Sequence, residues 1–233
     1  HMPDFKGYIS DLGGPSANMY MMRGKDQKKC RTCSRYSCIY PSVCQNLDTD
    51  HSKLTRLYQD IAKIPGIKKI SIGSGIRYDL FFRKGEISEN DKQEYIRQLV
   101  LHHISGRLKI APEHTSQLVL KMMRKPSFSY FIRFSQYISR ILKKSNKRLQ
   151  IIPYFISSHP ACRLEDMAGL ALEVKNHGLL TEQVQDFTPT PMTLSSVMYY
   201  TGFHPYTGES IYCATSQHEK KLQKAFFFLH DKA

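Results

Sequence analysis

Along the chain, short apolar runs of strand character alternate with stretches whose apolar residues recur every three to four positions. That alternation is the signature of βα units and a parallel sheet. The first strand is expected over 5–12, ended by Gly13-Gly14-Pro15. A helix follows with Leu54, Leu57, Tyr58 and Ile61 on one face and Ser52 as its N-cap. The second strand, 67–72, stops at Gly73-Ser74-Gly75, and Ser88 with Asp91 resembles a capping box for a helix burying Ile96, Leu99 and Val100.

The third strand, 107–111, is expected to break at Pro112. Phe128, Phe131, Ile132, Tyr137, Ile138, Ile141 and Leu142 then mark a long amphipathic helix. The fourth strand, 149–156, runs into Ser157-Ser158-His159-Pro160. Its helix carries Leu164, Met167, Leu170, Ala171 and Val174 on one face and stops at Gly178. A fifth strand, 183–187, ends at Thr188-Pro189, and His218–Leu229 is expected to form a last helix. Five βα units with polar or turn-forming carboxyl ends predict an α/β fold of parallel strands, a partial TIM-type barrel with a ligand rim.

Composition supports a sizeable core, with 41% hydrophobic residues, 12 Phe and 14 Tyr. The net charge of +14 predicts attraction to polyanions such as nucleic acid or phosphorylated substrates. A solvated basic face is the alternative. No apolar run approaches the roughly 20 residues of a membrane span, and no charged-then-apolar leader occurs, so no membrane and a cytoplasmic location are expected. His1-Met2 reads as a remnant of recombinant expression.

Four of the six cysteines, Cys30, Cys33, Cys38 and Cys44, fall within one short loop. Without a secretory signal, that density reads as a metal or cluster site before a disulfide framework. Zinc held by four thiolates, zinc held by three thiolates and the imidazole of His51, or an auxiliary iron–sulfur cluster are each buildable from the set. A loop of reduced thiols is the alternative.

The segments at the strand ends resemble the radical S-adenosylmethionine superfamily, in its YgiQ-type branch. They are Gly7 through Tyr20, Ser74 through Asp79, Leu108 through Thr115, Met122 through Pro126, Ile152 through Pro160, Gln183 through Thr193 and Met198 through Gly202. The resemblance implies a (β/α) barrel in which a C-x3-C-x2-C loop after the first strand holds a 4Fe–4S cluster. That cluster binds S-adenosylmethionine and cleaves it reductively to a 5′-deoxyadenosyl radical. No C-x3-C-x2-C run occurs here, so the five strands would be strands two to six. The cluster ligands are then expected in a missing N-terminal part of the same protein, and the fragment alone would be inactive. On this reading 3–215 form the incomplete barrel, with a cysteine-rich insertion at 30–51, and 216–233 begin a following region.

The resemblance also distributes roles. Gly13 and Gly14 would bring backbone carbonyls to the amino group of the cofactor's methionine, with Pro15 where the superfamily has a glutamate. Lys109 would pair with the methionine carboxylate, and Glu113 would accept from ribose hydroxyls. An ion pair between Lys109 and Glu113 is the plainer alternative. Ser158 and His159 would contact adenine and ribose, and Phe187 and Thr188 adenine. No catalytic residue toward a substrate is assigned. RNA is one candidate substrate, and a basic nucleic-acid-binding module with a structural zinc site is the rival reading. A phosphate-binding α/β barrel without radical chemistry is the third.

Overall fold

The computed structural model describes residues 4–14, 16–82, 87 and 89–227. The chain divides into two compact units, 1–110 with 129–151 and 111–128 with 152–233.

In the first unit, β1 (Tyr8–Ile9) runs parallel to β2 (Lys69–Ile70), with Tyr8 opposite Lys69. Backbone bonds from Lys69 N–H to the Gly7 carbonyl and from Leu12 N–H to the Ser71 carbonyl carry the pairing past both ends. Gly7 has a φ of +86°, and a Cβ there would stand 2.4 Å from the Gly66 carbonyl oxygen, so only glycine fits.

A short helix, α1 (Gln27–Arg31), precedes α2 (Ser52–Ala62). Ser52 is the first helical residue of α2 rather than its cap, and its N–H is taken by the Asp50 carboxylate at 2.8 Å. A single 3-10 turn, Tyr78–Phe81, and helix α3 (Asn90–Gln98) follow. The expected cap at Ser88 lies outside the described residues. Asp91 instead accepts the His51 N–H at 2.9 Å, tying the starts of α2 and α3 together. α3 widens into a π-helical turn, Leu99–His103, that buries the adjacent Leu99 and Val100 as expected.

The core of this unit is aromatic. Tyr58 packs on Tyr95, Tyr95 on Phe81, Phe81 on Phe134 and Phe134 on Tyr78, with centroid separations of 5.4–6.1 Å. Such pairs add stabilisation beyond their buried area. Phe134 comes from α5 (Phe128–Lys143), the long amphipathic helix that the periodicity predicts.

A three-stranded sheet, β3–β4–β5, comprises β3 (Arg107–Glu113), β4 (Gln150–Ser157) and β5 (Gln183–Asp186), and its carboxyl ends, from Ala111 in β3 and Ile152 in β4, belong to the second unit with all of β5. β3 continues through Pro112 instead of breaking there. Among the described residues β3 is an edge strand of the sheet, and the central strand β4 carries Pro153 as well, so proline interrupts neither. β4 and β5 are parallel, in register from Tyr154 opposite Gln183 to Ser157 opposite Asp186.

Among the described residues the second unit holds the helices α4 (Gln117–Met122), α6 (Leu164–Asn176), α7 (Leu194–Thr201) and α8 (Gln217–Ala225). α6 buries Met167, Leu170 and Val174 and stops at Gly178, whose φ is +57°. α4 and α7 have no counterpart in the apolar pattern, because both are too short to establish a period. The end of the expected tail helix, Phe228 and Leu229, lies outside the described residues.

The architecture is mixed α/β with parallel strands, in one two-stranded and one three-stranded sheet, and no closed barrel among the described residues. No helix among them is long and apolar enough to cross a membrane.

Candidate functional site

In the second unit, two neighbouring strands end in residues that pay a conformational cost. Glu113 closes β3 at a φ of +70°, and Ser158, directly after β4, sits at +60°. Left-handed backbone at a non-glycine residue costs on the order of 1–3 kcal/mol and concentrates at ligand sites. The side chains there are polar. The Glu113 carboxylate is 2.9 Å from the Lys125 ammonium, so its ion-pair partner comes from the turn after α4. Ser158 is fully buried, its N–H donates to Gln223 Oε1 at 2.7 Å, and its hydroxyl has no hydrogen-bond partner among the described residues.

His159 follows, 2% exposed. Its Nδ1 is 2.8 Å from the Pro160 carbonyl and its Nε2 2.8 Å from the Ser195 hydroxyl, so both ring nitrogens are engaged within the protein. Burial pushes its pKa down to about 4, so the ring is neutral at pH 7. Its edge packs on Phe187, 4.9 Å between centroids. Phe187 continues the β4–β5 pairing through its N–H, which donates to the Ser157 carbonyl at 2.8 Å. Asp186 takes the Ser157 hydroxyl at 2.8 Å and the Lys224 ammonium at 2.7 Å. Thr188 is exposed, its hydroxyl donating to the Asp186 carbonyl at 3.4 Å.

The strand ends of this unit thus bring together Glu113, Ser158, His159 and Phe187 within a network completed by residues to which no role was assigned: Lys125, Asp186, Ser195 and Gln223. The quoted sequence segments contain Lys125 and Asp186. Nothing local signals Gln223, whose partners lie more than 60 residues away.

In the first unit, Asp11 organises the end of β1. Its carboxylate accepts the Gly73 N–H at 3.0 Å and the Ser74 hydroxyl. Burial pushes its pKa up, but Ser74 and the backbone N–H groups of Gly73, Ser74 and Gly13 outweigh it and hold the carboxyl below its usual range. Gly13 is required by contact, since a Cβ would meet the Ser74 side chain at 2.6 Å, whereas Gly14 faces open space. Pro15 lies outside the described residues. Buried Asn18 clasps the backbone of Arg77, accepting its N–H at 2.8 Å and donating to its carbonyl at 2.9 Å. Lys109 is exposed on β3.

The cysteine loop is pinned at its base. Lys25 N–H donates to the Asn46 carbonyl at 2.7 Å and Asp48 N–H to the Arg23 carbonyl at 2.8 Å, around an antiparallel bridge between Gly24 and Leu47. The Asn46 side chain repeats the pairing, accepting from Asp26 N–H and donating to its carbonyl, both at 2.9 Å. Arg35 donates to the carbonyls of Ser37, Tyr40 and Ser42. Cys30, Cys33 and Cys38 are exposed and Cys44 is half-buried. His51 is 1% exposed, between Phe81 and Tyr95 at 5.0 and 4.9 Å, with Nε2 3.4 Å from the Asn18 amide nitrogen. Among the described residues, no three His, Cys, Asp or Glu side chains are already grouped around a metal position.

The fold defines an α/β protein with parallel strands, two of which, β3 and β4, end at polar residues of left-handed backbone. Residues 182–233 match the model of a domain of unknown function, DUF3362. The chain is 55% identical over 229 residues to a "UPF0313 protein" of Bacteroides thetaiotaomicron, covering 97% of this chain and 37% of that protein. It is 45% identical over 231 residues to a "UPF0313 protein" of Methanosarcina acetivorans, 99% of this chain and 30% of that one. Against the "UPF0313 protein YgiQ" of Escherichia coli, identity is 43% over 237 residues, 100% of this chain and 31% of that protein. The chain therefore spans about a third of the length of the curated relatives it matches.

Proposed function

We propose that the chain is part of a radical S-adenosylmethionine enzyme of the partial-barrel type, and that the strand ends of its second unit bind the nucleoside portion of S-adenosylmethionine. The observation that carries this reading is the pair of left-handed residues, Glu113 and Ser158, closing adjacent strands, the second with a buried, unpartnered hydroxyl. In α/β proteins of parallel strands, ligands collect at the carboxyl ends.

Glu113 accepts from the ribose hydroxyls while Lys125 holds its carboxylate in place. The Ser158 hydroxyl, with no partner of its own, hydrogen-bonds the nucleoside. His159 has both nitrogens occupied, so it serves by packing Phe187 in position rather than by donating to the base. Phe187 and Thr188 flank adenine. The roles that the resemblance gives Gly13, Gly14 and Lys109 belong to the first unit and rest on the resemblance alone. The 4Fe–4S ligands fall in the portion of the relatives that this chain does not span.

The test is a chain extended to the length of its relatives and reconstituted with iron and sulfide. It is expected to produce 5′-deoxyadenosine from S-adenosylmethionine under reduction, and Glu113→Gln is expected to raise KM for the cofactor. No 5′-deoxyadenosine from a fully reconstituted sample overturns the proposal.

A further inference from the structure

We propose that Cys30, Cys33, Cys38 and Cys44 bind one zinc ion as a four-thiolate structural site. The inference goes beyond the preceding proposal and does not depend on it. It starts from a loop, residues 24–47, in which no residue is fully buried. α1 has no buried residue, three of the four cysteines are exposed, and the hydrogen bonds of Asn46 close the base of the loop. An ordered loop of this length without its own core is ordinarily a functional one.

The backbone sorts the cysteines into two pairs. Cys33 N–H donates to the Cys30 carbonyl at 3.3 Å, closing a single turn around the first pair. Cys44 N–H donates to the Cys38 carbonyl at 2.7 Å, closing the second pair. Two paired cysteines on each of two turns are how structural zinc sites are assembled.

One sulfur is already supported as an acceptor. The Asn46 amide, which pins the loop base, donates to Cys30 Sγ at 3.3 Å. The sulfur lies against Gly24, where a Cβ would approach it to 2.2 Å. An N–H donor to a ligating sulfur is the kind of support that metal thiolates receive from their surroundings. The local charge fits as well. Residues 25–44 carry Lys25, Lys28, Lys29, Arg31 and Arg35 against the single carboxylate of Asp26, which offsets the net negative charge of a zinc tetrathiolate.

Two alternatives drop out on geometry and exposure. The imidazole of His51 is sealed between Phe81 and Tyr95, so a three-thiolate, one-imidazole site is not available. An iron–sulfur cluster on exposed cysteines would stand open to water and oxygen, whereas zinc has no redox chemistry to lose. The sulfurs are not yet gathered around one point. Zinc gathers them, and each thiol releases its proton to solvent as its bond to zinc forms, with no oxidant or reductant required.

The experiment is metal analysis of the 233-residue chain, expressed in zinc-supplemented medium and purified without chelators. One equivalent of zinc is expected. Cys30→Ser, Cys33→Ser, Cys38→Ser and Cys44→Ser are each expected to lose it, while Cys213→Ser keeps it. Cobalt titration of the unsubstituted metal-free chain, which needs no variant to fold, is expected to give sulfur-to-cobalt charge-transfer absorption. Failure to take up cobalt, zinc retained in the four variants, or iron with acid-labile sulfide in place of zinc overturns the inference. Cofactor cleavage is not part of the readout, so failure here leaves the preceding proposal standing, and the reverse holds too.

Discussion

Nε2 of His114 lies 3.5 Å from the sulfur of Cys162, and the hydrogen bonds around the pair direct the proton from ring to sulfur. The Ser116 N–H donates to His114 Nδ1 at 3.0 Å, which leaves the proton of a neutral ring on Nε2. The ring is neutral because burial holds its pKa at about 4. The Cys162 thiol in turn faces Gln223 Oε1 at 3.4 Å. A histidine that already offers its proton to a thiol cannot remove the thiol's own. The pair is a structural relay, unlike the activated couple of a cysteine nucleophile.

Cys162 is accordingly expected to be inert. Burial pushes its thiol up to about 12, so almost no thiolate forms at pH 8. Iodoacetamide followed by peptide mass spectrometry is expected to leave Cys162 unmodified in the folded chain and modified in denaturant. Rapid labelling of the native chain at Cys162 would contradict the relay.

Acid is expected to destabilise the second unit before its carboxylates titrate. His114 and His159 have folded-state pKa values of about 4 against 6.5 when exposed. Between those values the unfolded chain binds more protons than the folded one, so stability is complete above pH 6.5 and is lost as pH falls toward 4. The loss approaches an upper bound of about 3 kcal/mol for each ring. Urea midpoints at pH 7.5 and pH 5 should differ in that direction, and equal midpoints would count against buried neutral rings.

Ser158→Gly is expected to stabilise the protein by about 1 kcal/mol, because glycine adopts a φ of +60° freely and the unpartnered hydroxyl disappears. The same substitution is expected to weaken binding of S-adenosylmethionine. Thermal melts and calorimetric titration separate the two effects. A stability gain with binding intact would remove Ser158 from the proposed site.

Phe134→Ala is expected to cost about 3–5 kcal/mol. The side chain is fully buried and stacks on both Phe81 and Tyr78, so its removal parts Tyr78 from the rest of the aromatic row. Denaturant unfolding followed by tyrosine fluorescence would measure the loss, and a cost under 1 kcal/mol would mean the core repacks around the gap.

Elements long enough to repeat their pattern were legible in the sequence. α5 and α6 carry three or more turns of periodic apolar residues, and β4 is an apolar run bounded by polar residues. β3 is expected to stop at Pro112, which ordinarily ends a strand, yet it continues to Glu113, as the central strand β4 continues through Pro153. Strand pairing was not legible. Nothing in a strand's own residues says that β3, β4 and β5 share one sheet while β1 and β2 form another. The strand-end residues were found by local signals, Glu113 and Ser158 among them. Their partners were not, because the choice of Lys125 for Glu113 and Gln223 for Ser158 is made by the fold.

Gln223 of α8 fastens the end of β4 from across the sequence. Its side chain takes the Ser158 N–H at 2.7 Å and gives its own proton to the Cys162 carbonyl at 2.8 Å. Since the domain-family match starts at residue 182, that edge divides sequence statistics but cuts through the middle of a folding unit. Pieces severed there, 1–181 and 182–233, would each carry half of a hydrogen-bonded seam: one with the orphaned amide of Ser158, the other with a helix whose buried glutamine has nothing to grip.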